Sequence, residues 1–207
     1  MKTWNWISGF LLLAGASVWG IWVWQQPTNQ PGQPFQWTYG PARADYTLTL
    51  YSDLECPYCK AFQPIAKHWI DNTEGVNLRW HHLPLDGHGS VAVQEALLAE
   101  CNGQVNGNEA FWITIDAVFA LTRSNGQGMD GELERIPSWT DQTVRDCMAW
   151  PETMAKLQEQ IQAAHWAGIT ATPTSTLTDN RTGKSVKLEG LSSPEALDSA
   201  VDWLVRE

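Results

Sequence analysis

The chain has 207 residues, enough for one sizeable domain, with 43% hydrophobic and 17% charged residues, a globular composition. A formal charge of −10 and the lack of a basic stripe argue against nucleic acid as a partner.

From Trp6 to Trp24 run 19 residues without a charge. As a helix they would be roughly 28 Å long, about the thickness of the hydrocarbon core of a bilayer. Trp4 and Trp6 stand before this run and Trp19, Trp22 and Trp24 at its end, an aromatic belt at each water boundary. Residues 1–24 are therefore expected to form an N-terminal transmembrane anchor. The alternative is a secretory signal cut at the small residues Ala14 to Ala16. Under either reading the body is exported, and exported compartments such as the periplasm are where disulfides persist. Residues 25–36 are rich in Pro and Gln and read as an extended tether. Residues 37–207 remain for the folded domain.

Tyr46–Ser52 (YTLTLYS) alternates and is β-branched, the pattern of a strand. It runs into CPYCKAFQPIAKHWI, where Phe62, Ile65, Ala66 and Trp69 fall at helical spacing. Cys56 and Cys59 thus lie where a strand ends and a helix begins. Val76–Leu85 is the next strand, stopped by Pro84. In the helical stretch that follows, Val93, Ala96, Leu97 and Cys101 make one apolar face, and Phe111, Ile115, Val118 and Phe119 a second. A Gly-rich loop spans Arg123–Pro137. Thr140 is expected to cap a short helix carrying Val144, Cys147 and Met148, and another helix carries Met154, Leu157, Ile161 and Ala164. TSTLT and KSVKLEG are strands joined by DNRTG, with Gly183 available for a positive φ. Leu197, Ala200, Val201 and Leu204 define the last helix. This alternation predicts an α/β domain.

A C-x-x-C pair can be half of a metal site, an inert bridge or an exchange pair. A metal site needs two more ligands, and Cys101 and Cys147 are too far apart in sequence to supply a second close pair; no metal is expected. A bridge across so short a loop stabilises little. Exchange uses the spacing better. A thiol at a helix N-terminus faces unpaired amides and the positive end of the helix dipole, which favour the attacking thiolate. Cys59, one turn in, is close enough to displace whatever Cys56 binds. Pro57 suits the first helical position because its missing N–H costs nothing there.

YSDLECPYCKAF resembles the active-site segment of DsbA-like thiol:disulfide oxidoreductases, within the thioredoxin-fold superfamily. GITATPT (Gly168–Thr174) is similar to their cis-proline loop, and EALLAECNGQ with EAFW and DAVF to their helical insertion. The resemblance implies a thioredoxin fold with an inserted helical subdomain at about residues 87–167. Cys56 would attack and hold the mixed disulfide, and Cys59 would resolve it. Pro173, in a cis bond after Thr172, would lie against the pair, with the Thr172 backbone available to an extended substrate. No organic cofactor is implied. Partners would be proteins with cysteine thiols and a membrane-bound redox protein that regenerates the disulfide.

Two positions depart from the family pattern. The dipeptide is Pro57-Tyr58 where the best-known DsbA proteins have Pro-His, and Leu50 stands where many relatives carry a proton-shuttling acid. Asp53 and Glu55, near the end of a strand, are expected to be solvated surface acids. Tyr58 is expected on the exposed rim, where it would meet incoming peptide. His68, His81, His82, His88 and His165 read as surface or packing residues. Cys101 and Cys147 fall on apolar helix faces; in an oxidising compartment two such thiols in one helical subdomain are expected to bridge, as similar pairs do in DsbA-like proteins. The functional expectation is an exported, membrane-tethered dithiol oxidase. The alternatives are a reductase or isomerase using the same cysteines, and a metal-binding or chaperone protein on the same scaffold.

Overall fold

A computed structural model describes residues 37–131, 136 and 138–206, all within the unit Gly32–Glu207. The expected anchor (residues 1–24) and tether (25–36) lie outside the described residues. Among those described, no helix is long and apolar enough to cross a membrane.

The order is β1 (Thr38–Tyr39), β2 (Tyr46–Ser52), α1 (Pro57–Asn72), β3 (Val76–His82), a 3-10 turn (Asp86–His88), α2 (Gly89–Asn106) and α3 (Asn108–Leu121). Then come α4 (Gln142–Ala149), α5 (Pro151–Trp166), β4 (Thr174–Asp179), β5 (Ser185–Glu189) and α6 (Pro194–Arg206). One sheet has the order β1-β3-β2-β4-β5. β2 and β3 are parallel, in register from Tyr46↔Val76 to Ser52↔His82, and α1 is the crossover that parallel neighbours require. β4 returns antiparallel to β2 after four helices, and β5 follows through the turn at Gly183, whose φ is +76°. The two-residue β1 pairs antiparallel with β3 and is too short for any periodicity to announce it.

β2 lies in the middle of the sheet. Leu48 and Leu50 are fully buried, as are Leu78 and Leu177 on the flanking strands. α1 buries Phe62, Ala66, Trp69 and Ile70 against this layer. The helical stretch after β3 is two helices rather than one, because Gly107 takes φ +92° between them. Such a positive φ breaks a helix at low cost only for glycine.

The helical block joins the sheet through stacked rings. Trp37 stacks on Phe111 with centroids 4.8 Å apart, and Trp80 meets Phe111, Trp112 and Phe119 edge-on at 6.2, 6.0 and 6.1 Å. Gly103 of α2 is required by this contact, since a Cβ there would lie 2.5 Å from the Trp37 ring. Beneath the rings, buried Glu100 accepts from Trp37 Nε1 at 2.9 Å and Gln160 Nε2 at 2.8 Å. Burial pushes its carboxyl up to about 7 against those two bonds. Cys101 of α2 and Cys147 of α4 form a disulfide, S–S 2.07 Å. The cap of α4 is Asp141, whose carboxylate accepts from Thr143 N at 2.8 Å; Thr140 falls one residue early.

Candidate active site

β2 ends at Ser52, and a tight turn carries the chain to the start of α1 at Pro57. Cys56 N donates to Asp53 O at 3.1 Å, which closes the turn, and Lys60 N donates to Cys56 O at 3.0 Å, which begins the helix. Cys56 is the N-cap. Its Sγ accepts from Cys59 N at 3.4 Å, so an amide that the helix leaves unpaired is spent on sulfur. Pro57 occupies the first helical position, and Tyr58 projects outward, 63% exposed.

Across from the pair, the Thr172–Pro173 bond is cis. In the thiol form Cys56 Sγ donates to Thr172 O at 3.4 Å. Pro173 O accepts from Gly190 N at 2.8 Å, and Thr174 Oγ1 donates to Ala171 O at 2.8 Å, so the loop is braced from both sides. Beside it a groove of about 570 Å³ is lined by Leu85, Val93, Ile161 and Thr170 among others.

The two thiols are pushed in opposite directions. Cys56 falls to about 6. The chief cause is the Cys59 thiol donating to its sulfur; the Thr172 hydroxyl and the amides of Cys59 and Tyr58 add to it, while burial opposes. Cys59 is driven well above its ordinary value, first by burial and then by Cys56. At neutral pH the reduced pair is one thiolate beside one thiol. The thiolate is the species that attacks a disulfide.

Asp53 and Glu55 are not solvated surface acids. They are 1% and 0% exposed, and both are built into the turn that presents Cys56. Asp53 accepts from Glu55 N at 2.7 Å and Leu85 N at 2.6 Å, and its Oδ2 lies 2.7 Å from His88 Nδ1. Glu55 accepts from Thr122 Oγ1 and from Gly128 N at 3.1 Å, while its carbonyl takes Asn125 N at 2.7 Å. The Gly-rich loop after α3 is thereby pinned to the active-site turn. Apart from Glu55 N, the donors to these two carboxylates come from residues 85, 88, 122 and 128, none of which sequence spacing links to them. Glu95 of α2 is also buried there. Its carboxyl is pushed up to about 9, first by burial and then by Glu55 and Asp53, and it holds a proton at neutral pH.

The remaining histidines pack in the core or lie at the surface. His82 is fully buried, accepts from Trp80 Nε1 at 3.0 Å and is pushed down to about 3 by burial and by His81. His81 sits 2.8 Å from Gln160 O. His68 lies near Asn72 on the surface of α1, and His165 is on the rim of the groove. Among the described residues no three His, Cys, Asp or Glu side chains are placed to hold a metal ion.

Residues 33–202 match the family model described as Thioredoxin. The crystal structure of DsbA2 from Pseudomonas aeruginosa is similar at TM-score 0.78 and 41% identity, over 85% of this chain and 98% of that one. A thioredoxin-like oxidoreductase from Silicibacter pomeroyi DSS-3 gives TM-score 0.64 at 21% identity, over 82% and 92%, a likeness of fold. Among curated relatives, the Na(+)/H(+) antiporter NhaA 1 of Salinispora arenicola is 28% identical over 155 residues, 74% of this chain. The chain spans 23% of that relative's length. The cysteine pair at a helix cap, the cis-proline loop against it and these likenesses agree: the chain belongs to the thioredoxin family, as a DsbA-like member.

Proposed function

We propose that this DsbA-like oxidoreductase exchanges disulfides with protein substrates through Cys56 and Cys59, and that it runs as a dithiol oxidase. The observation that carries this reading is the thiol lowered to about 6 at the cap of α1, beside a buried partner pushed the other way. In the oxidised enzyme a substrate thiolate attacks Cys56 Sγ, and the electron pair of the broken S–S bond goes to Cys59. The substrate's second thiolate then attacks its own sulfur in the mixed disulfide, and Cys56 leaves as a thiolate. The same contacts that lower the Cys56 pKa make it a good leaving group, because a more stable thiolate departs faster. The substrate leaves bridged and the enzyme leaves as the dithiol.

Tyr58, the Thr172 backbone and the cis-Pro173 loop are the surfaces against which an extended peptide would lie, and the groove along Leu85, Val93 and Thr170 gives it room on one side. The reaction needs no organic cofactor; a membrane-bound redox partner of quinone-linked chemistry would reoxidise the pair. The apolar run Trp6–Trp24 supports tethering to the inner membrane from the periplasmic side, and the Cys101–Cys147 bridge supports an oxidising compartment. That bridge acts structurally, since neither cysteine begins a helix.

The equilibrium potential of Cys56–Cys59 against a glutathione buffer tests the direction. A value near about −120 mV is expected for a strong oxidase; one near about −270 mV would reverse the assignment to a reductase.

A further inference from the structure

We propose that Asn125 is a specificity-determining residue for protein substrates, its side-chain amide bonding the backbone of an extended peptide held at Cys56. The inference rests on the exchange reading above and adds to the substrate site an edge that neither the cis-proline loop nor the groove supplies.

The loop after α3 turns back on itself. Thr122 and Met129 bridge antiparallel, Arg123 N donates to Gly128 O at 2.9 Å, and Gln127 N donates to Ser124 O at 3.2 Å. Asn125 and Gly126 form the tip, with φ of +58° and +77°. Positive φ at both central residues is what a tight two-residue reversal requires, and Asn followed by Gly is a favoured pair for it. Ser124, just before them, also stands at +65°. A side-chain-bearing residue in that region costs about 1 kcal/mol or more and persists only where its surroundings fix it.

The surroundings that fix it belong to the active-site turn. Asn125 N donates to Glu55 O at 2.7 Å, one residue before Cys56. The Glu55 carboxylate takes Thr122 Oγ1 and Gly128 N, from the two ends of the loop. Lys60, near the start of α1, donates from Nζ to Thr122 O at 2.9 Å. Gly126 rests on His88, where a Cβ would come within 2.9 Å of the carbonyl oxygen. The tip thus touches both the residue before the attacking cysteine and the 3-10 turn, whose Asp86 lines the groove.

These contacts use the Asn125 backbone and leave its side chain out. Asn125 is exposed. A carboxamide offers an acceptor and two donors, the complement of a peptide's own C=O and N–H. Such a pairing reads main chain rather than side chains, so it suits substrates of many sequences. A small dithiol has no main chain to offer it.

The test compares wild type, Asn125→Gly and Asn125→Asp, all oxidised, for their rates of reduction by a dithiol peptide and by dithiothreitol, under acid quench and thiol alkylation. Glycine accepts the positive φ and keeps the backbone bond to Glu55, so the change removes the amide alone. The ratio of peptide rate to dithiothreitol rate should fall about twofold to tenfold, as the loss of a neutral hydrogen bond predicts. A loop that only shaped Cys56 would move both rates together and leave that ratio at the wild-type value. Asn125→Asp keeps the size and the turn preference but exchanges the donor for an anion. It should raise the preference for a lysine-flanked over a glutamate-flanked peptide, and do so even in about 1 M salt, where charges beyond about 3 Å are screened. An unchanged ratio in Asn125→Gly would overturn this proposal alone, as would an unchanged charge preference in Asn125→Asp. A wild type inert toward both reagents would overturn the exchange reading and this proposal together.

Discussion

Reducing the Cys56–Cys59 bridge should make folding stability depend on pH in a way that the oxidised protein does not share. Cys56 titrates near 9 in an unfolded chain and at about 6 in the fold. Because the folded value is the lower one, the stabilisation is complete above the unfolded value and is lost as pH falls through about 6. Linkage gives less than about 0.1 kcal/mol near pH 5, about 1.4 kcal/mol near pH 7 and about 2.7 kcal/mol near pH 8. Cys56 is only 4% exposed, so solvent screening removes little of this. Cys59, pushed upward, acts in the opposite sense only at pH above its ordinary value, outside that window. Glu95, Glu100 and His82 titrate abnormally as well, but they do so in both redox states. The quantity to measure is therefore the urea unfolding free energy of the reduced protein minus that of the oxidised one, at each pH. It should rise by between about 2 and 3 kcal/mol from pH 5 to pH 8, and the reduced wild type should show the same rise relative to Cys56→Ser. A flat difference across that range would refute the reasoning, since no stabilised thiolate would then be present in the fold.

Replacing Cys59 with Ala should trap substrate on Cys56 as a mixed disulfide visible on a non-reducing gel. It should also raise the Cys56 pKa, because the Cys59 thiol is the largest contributor to its lowering. Replacing Cys101 and Cys147 together with Ala opens a loop of sequence separation 46. This should cost about 4 kcal/mol in chemical denaturation while leaving the exchange rate unchanged. Gly103→Ala sets two effects against each other: about 1 kcal/mol gained in helix propensity and a Cβ placed 2.5 Å from a Trp37 ring that is 4% exposed. The clash should win, with a net loss of about 1–3 kcal/mol by denaturant titration.

Local chemistry made part of this molecule legible in its sequence. The strand Tyr46–Ser52, the cysteines at the next helix cap and the positive φ at Gly183 each depend on a few neighbouring residues, and each stands in the structure where its signal lies. What escaped is what distant residues decide. Asp53 and Glu55 look like surface acids until Leu85, His88, Thr122 and Gly128 arrive to bond them. Glu95 carries no mark of the two carboxylates it meets. Thr140 and Asp141 are both good caps one residue apart, and the sequence has no means of choosing between them.

The account turns on the ionisation of one sulfur, and ultraviolet thiolate absorbance of the reduced protein, titrated against pH with the oxidised protein subtracted, reads it directly. A midpoint near 6 that vanishes in Cys56→Ser is the predicted result. A midpoint near 9, the ordinary value of a cysteine, would contradict it.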